Sequence, residues 1–220
     1  GQAGGGSSLL NIDFQTSSDG ASAITVHRTP QSSDSKRPAL CLILNPGAAA
    51  NGALEVLAGS VGLGWYGETC KVTPKIGYRE NQAGDAQVHF GPGVTFGSTF
   101  DQSGGVVEIN TATTAIAKTG GTLTINGSGA HPIVDNQAGA LIYNSTGAIG
   151  GTSVKCGGTG TLDFSQDMSA KALGTTIQAY RGATIINPHG VVTSFAFKAV
   201  GCRLADINVI SAVDKTWTPS

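Results

Sequence analysis

The sequence predicts an all-β fold: a single-stranded β-helix, or solenoid, preceded by an N-terminal arm and hairpin. Three observations carry that expectation. Only 12% of the 220 residues are Asp, Glu, Lys or Arg, fewer than the water-facing sides of helices usually carry. Glycine is frequent, at 33 residues, and the Thr, Ser, Val and Ile around it favour strands joined by tight turns. The segment GGVVEIN (104–110) returns as GGTLTIN (120–126), a gap too short for a helix and its connections.

In chain order, residues 1–8 are Gly/Ser-rich and read as flexible. LLNIDFQT (9–16) reads as a strand or docking segment. ASAITVHRT (21–29) and ALCLILN (39–45) read as a hairpin around a polar loop. Residues 1–50 therefore form an arm and hairpin, 51–210 the β-helix, and 211–220 a tail or cap in which Trp217 covers the last rung.

The repeat is anchored at Asn110, Asn126, Asn144, Ser165, Asn187 and Asn208. FDQSGGVVEIN (100–110), IAKTGGTLTIN (116–126) and VDNQAGALIYN (134–144) align without a gap, and VKCGGTGTLDFS (154–165) needs one inserted residue. One residue before the anchor stand Ile109, Ile125, Tyr143, Phe164, Ile186 and Ile207, all apolar. Two residues earlier stand Val107, Leu123, Leu141, Leu162, Thr184 and Ala205. Period-two alternation turns these columns inward as the solenoid core. The intervening column (Glu108, Thr124, Ile142, Asp163, Ile185, Asp206) then faces out. Gly105, Gly121, Gly139, Gly160 and Gly182 mark a corner, and Asn110, Asn126, Asn144, Asn187 and Asn208 form a ladder at the next one. A strict six-residue period is absent, which favours a right-handed coil. The competing fold is a β-sandwich with regular turns.

Chemical motifs are sparse. Gly62-Leu-Gly64-Trp-Tyr-Gly67 satisfies a dinucleotide-binding pattern, but ETCKVTPKIGY follows it, which reads as turn and strand where such a site needs a helix N-terminus. The sequons at Asn126 and Asn144 coincide with repeat anchors. His27, His89, His131 and His189 are scattered, and Cys41, Cys70, Cys156 and Cys202 lack metal spacing, so they read as free thiols with one long-range disulfide left open. The expectation is no catalytic residue, no metal and no cofactor. A net charge of −1 gives no signal for nucleic acid or membrane. Catalysis on a polysaccharide would need paired carboxyls. The candidates are Asp163 with Asp206, Asp163 with Asp167, and His131 with Asp135.

TTAIAKTGGTLTINGSGA, ALIYNSTGAIGGTSVKCGGTGTLDFSQDMSAKAL and YRGATIINPHGVVTSFAFKAVGCRL resemble the β-helix-containing head proteins of tailed bacteriophages. The resemblance implies a capsid decoration (cement) protein that binds the major capsid protein on the outer surface of the virion. It also implies a homo-oligomer, with a trimer favoured, and it carries no catalytic residues. Residues 1–50 lie outside the resemblance. Their own chemistry offers Leu9, Leu10, Ile12 and Phe14 as apolar capsid contacts, and Arg28, Lys36 and Arg37 as charged ones. The alternatives are a tailspike-type module that binds or cleaves host polysaccharide, and a bacterial surface adhesin.

Overall fold

A strand whose side chains alternate in and out must find backbone partners on both edges. The computed structural model supplies them along one axis. It describes residues 9–11, 24–27, 40–43, 48–64, 69–77, 86–145, 147, 149–166, 171–172, 175–189, 192–194, 196–211 and 216–219. The described strands pair in parallel throughout. The chain is an all-β parallel solenoid of about six turns.

Successive rungs stack in three ladders. The first runs through Ala86–Phe90, Val106–Ile109, Thr122–Gly127, the later parts of His131–Ser145 and Ile149–Asp163, Thr184–Asn187 and Asn208–Ser211. The second runs through the end of Cys70–Ile76, Phe100–Gln102, Ile116–Lys118, the earlier parts of the same two long strands, Ile177–Ala179, Ala196–Ala199 and Thr216–Pro219. A shorter third side pairs the start of Cys70–Ile76 with Val94–Phe96, and Lys171–Ala172 with Val192–Ser194.

The N-terminal hairpin is corrected. Ile24–His27 pairs in parallel with Leu54–Ala58, whereas Leu40–Ile43 pairs in parallel with Val61–Leu63 and with Leu9–Asn11. The two segments sit in different ladders as further rungs, because each finds its parallel partner in Ala48–Leu63 rather than in the other. Ile12, Phe14, Arg28, Lys36 and Arg37 lie outside the described residues, as does Trp217's side chain, although Thr216–Pro219 continues the second ladder.

Inside, Val107, Ile109, Leu123, Ile125, Leu141, Tyr143, Leu162 and Phe164 are fully buried. Each such side chain contributes roughly 1.5–3 kcal/mol by leaving water. Facing them from the second ladder are Phe100, Ile116, Val134, Val154, Ile177 and Phe197. The inward columns shift in the last two units, where Thr184, Ile186 and Ala205 are not buried. Leu162 stacks on Ile185 and Asp163 on Ile186, so Ile185 is buried and Ile186 faces out, half-buried. Ile185 in turn stacks on Val209, which leaves Ile207 buried one residue before its strand and Ala205 exposed. Aligning on Asn sets the 184–187 unit one residue off its predecessor, which exchanges the two faces, and sets Asn208 three residues from Ser211, the actual partner of Asn187.

The corners explain the glycines. Gly139 has φ 72°, and a Cβ there would lie 2.1 Å from the Gly121 carbonyl oxygen one rung away. No other residue fits so close a backbone approach. In the following unit the left-handed role passes from Gly160 to Gly158, next to the extra residue opposite Asn136–Ala138. The Asn column is only partly a ladder. Asn144 Nδ2 donates to Asn126 Oδ1 at 3.1 Å. Asn110 lies 3.5 Å from His89 Nε2, Asn187 is buried and donates to Ser211 Oγ at 3.3 Å, and Asn208 stacks on Thr184.

A polar column runs through the apolar interior. Gln102, Lys118, Asn136 and Cys156 stack directly on one another in the second ladder, each 2% exposed or less. Each points at the carbonyls of the glycine corner. Gln102 Nε2 donates to Gly105 O at 3.2 Å and to Thr122 O on the next rung at 3.0 Å. Lys118 Nζ donates to Ala138 O at 2.6 Å, and Asn136 Nδ2 to Thr161 O at 2.8 Å. Burial pushes the Lys118 ammonium down to about 8. Carbonyls at and beside the corners thus find donors inside the solenoid.

His131 is also fully buried, 2.9 Å from the Thr113 hydroxyl and edge-on to Tyr143. Burial pushes its pKa down to about 4.

Two predictions follow from this packing. Ile185→Asp buries an unpaired charge and should cost several kcal/mol, whereas Ile186→Asp should cost about 1 kcal/mol; equal urea midpoints would refute the register. For His131, the unfolded chain binds the proton more readily than the folded one between about pH 6.5 and 4. Stability should therefore fall by up to about 3 kcal/mol as pH drops through that window. His131→Leu should flatten that part of the pH profile, measured by urea denaturation.

Candidate functional site

The two long ladders present different outer surfaces. Outward positions of the second ladder, in stacking order, are Lys75, Asp101, Ala117, Asp135, Lys155, Gln178 and Lys198. Opposite charges occupy adjacent rungs at Lys75/Asp101 and at Asp135/Lys155, a surface suited to water. A shallow groove of about 350 Å³ opens there between Lys75, Asp101, Ser103 and Thr119.

The first ladder turns outward a nearly uncharged sheet. Its rungs carry Val106 and Glu108, Thr122 and Thr124, Ala140 and Ile142, Thr161 and Asp163, Thr184 and Ile186, then Asn208 and Ile210. Val106 and Ile210 are each 49% exposed. Alternation fixes these positions: whatever stands between two core residues must face out. Parallel stacking then sets like residues side by side at about 4.8 Å. The result is a stacked outer surface rich in methyl groups and hydroxyls, with the Glu108 and Asp163 carboxylates among them.

At one end of this surface His89, Glu108 and Asn110 meet. The Glu108 carboxylate lies 3.5 Å from His89 Nδ1, and the Asn110 amide lies 3.5 Å from His89 Nε2. Burial lowers the His89 pKa, and the neighbouring Glu108 carboxylate partly opposes that shift.

The candidate catalytic pairs separate. His131 points into the core, whereas Asp135 lies on the outer charged surface. Asp163 stacks on Ile186 and then Ile210, so Asp206 is not in its column. Asp206 instead belongs to the 3-10 turn Leu204–Asp206. There the Arg203 backbone N–H donates to its carboxylate at 2.9 Å, and the Arg181 and Arg203 guanidinium groups lie 3.5 Å away. Those contacts hold its pKa low, the backbone bond most of all. The Asp163 carboxylate accepts from the Ser165 N–H at 2.8 Å and shapes the turn after its strand. Asp167 lies outside the described residues. Glu108 and Asp163 are three rungs apart, about 14 Å at the usual strand spacing, beyond the span of a glycosidase pair.

Gly62 ends within the strand Ala48–Leu63 and Gly64 has φ 62°, while the next described strand starts at Cys70. Cys156 and Cys202 are free thiols. Among the described residues no group of three His, Cys, Asp or Glu is placed to hold a metal ion, and no helix is long and apolar enough to cross a membrane.

The residues that sequence reasoning missed are His89 as the partner of Glu108, and the buried column Gln102, Lys118 and Asn136. The second had a signal: all three stand eight residues before the Asn anchor in the gap-free units. Comparison with known proteins gives no match: no family model fits the chain, and no curated protein or solved structure aligns with it significantly.

Glu108→Gln removes the carboxylate that favours the His89 cation. The His89 titration midpoint, followed by NMR, should move further down; an upward move would refute the pairing.

Proposed function

We propose that this chain is a non-enzymatic structural protein of a phage virion, a decoration protein that seats its uncharged face on the outside of the major capsid shell. The observation that carries this reading is the contrast between the two ladders. One bears Lys or Asp at five of the seven positions of its central column, beside an exposed Ile133, and the other bears Thr, Val and Ile with two aliphatic side chains half exposed. A protein surface that buries few charges and matches flat shape is what adhesion between proteins uses. The stacked rungs make that surface stiff before binding, which lowers the ordering cost of association. The sequence resemblance to β-helical phage head proteins supplies the partner, and the same reading takes the protein as a homo-oligomer, with a trimer favoured.

The test is co-sedimentation with heads assembled from the major capsid protein encoded alongside this chain. The wild type should bind expanded heads and raise their resistance to heat. Ile142→Arg with Ile186→Arg, both on the flat face, should lose binding while keeping the unfolding midpoint within about 1 kcal/mol. Binding unchanged by that double substitution would refute the assigned face. Release of reducing ends from host polysaccharide, lost on Asp101→Asn, would favour the tailspike reading instead.

A further inference from the structure

The buried polar column leaves specific hydrogen-bonding capacity unused. Gln102 Nε2 is committed to the carbonyls of Gly104, Gly105 and Thr122. Asn136 Nδ2 is committed to those of Gly139 and Thr161. Their amide oxygens, Gln102 Oε1 and Asn136 Oδ1, are buried and unpartnered. Between them in register stands Lys118, fully buried, whose ammonium offers three N–H groups and donates one to Ala138 O.

Neither amide can rotate to exchange its ends, because the oxygen would then face the carbonyls that the NH2 group now serves. The arrangement therefore needs a ligand that accepts from an ammonium and donates to an amide oxygen. An anion fails the second condition, since it would meet amide lone pairs. A cation fails the first. Water satisfies both, and buried waters typically make about three such bonds to polar groups without other partners.

We propose that the solenoid interior is a hydration site built on Lys118, in which ordered water accepts from Nζ and donates to Gln102 Oε1 and Asn136 Oδ1. The two amide oxygens lie on rungs either side of Lys118, so each is served by its own water. The site explains how a lysine is kept inside an apolar solenoid. Burial lowers the pKa of the ammonium to about 8; the direct bond to Ala138 O and the waters on the two amide oxygens offset its lost hydration.

The test counts long-lived internal waters by water-oxygen magnetic relaxation dispersion on the intact chain. Lys118→Met keeps the side-chain length and removes the donor, so it should lose at least one long-lived water relative to the wild type. An equal count in both proteins would overturn the proposal. If the variant does not fold, a high-resolution crystal structure of the wild type decides. Density for water within about 3.0 Å of Nζ and of an amide oxygen supports the site. Direct contact of Nζ with either amide oxygen overturns it. So does an intact mass lower by one ammonia, which would mean that Nζ had displaced the Gln102 or Asn136 amide nitrogen to form a covalent link.

Discussion

Backbone hydrogen bonds running along the axis, from each rung to the rung that follows it in sequence, are the constraint on which the rest of this structure depends. They require consecutive rungs to stack in register, so each side chain inherits the neighbours of its own column. Apolar columns become the core and polar columns become surface. Where the backbone turns between ladders, rungs come so close that a Cβ at Gly121 or Gly139 would overlap the backbone of the preceding rung. The same turns direct carbonyls inward, and Gln102, Lys118 and Asn136 donate to them from within, Gly105 O accepting from the Thr122 N–H of the next rung as well. Polar residues at the centre of this protein are thus a consequence of its corners.

Much of this was legible in the sequence, because a stacked fold writes its columns directly into the chain. The alternation at 107/109, 123/125 and 141/143 marks residues that are fully buried. The departures in register share one cause: identity at a single anchor residue does not set the register. Asn187 matches Asn144 by residue type, yet it is buried on Ser211, and Ile185 rather than Ile186 enters the core. The hairpin between 24–27 and 40–43 failed for a different reason. Two apolar runs separated by a polar loop look alike whether the chain reverses or circles the axis, and only the third partner, at 54–63, distinguishes them. The pairing of His89 with Glu108 was out of reach, since they are 19 residues apart in a region where the rung length changes.

The division between outer surfaces follows from the same geometry. In the second ladder charge collects in the central outward column as Lys75, Asp101, Asp135, Lys155 and Lys198, beside the exposed Ile133. First-ladder rungs are longer and expose two or three residues, which makes a broad flat sheet. Charge on that sheet is confined to Glu108 and Asp163 in the columns between Val106 and Ile210. The two sides thus differ in charge and in breadth, and both differences follow from how the rungs stack.

In-register parallel stacking is the central claim, and disulfide trapping tests it most directly. Thr124 and Ile142 are directly opposed on neighbouring rungs, with Cα atoms about 4.8 Å apart at the usual strand spacing, inside the range a disulfide spans. Thr124 and Ala140 are diagonal, about 8 Å apart by the same spacing, beyond the limit of about 7 Å. Mild oxidation of Thr124→Cys/Ile142→Cys should give the new crosslink, mapped by peptide mass, without loss of the folded state. Thr124→Cys/Ala140→Cys should give none. Crosslinking of the diagonal pair in preference to the opposed pair would contradict the register and, with it, the assignment of core, corner and face.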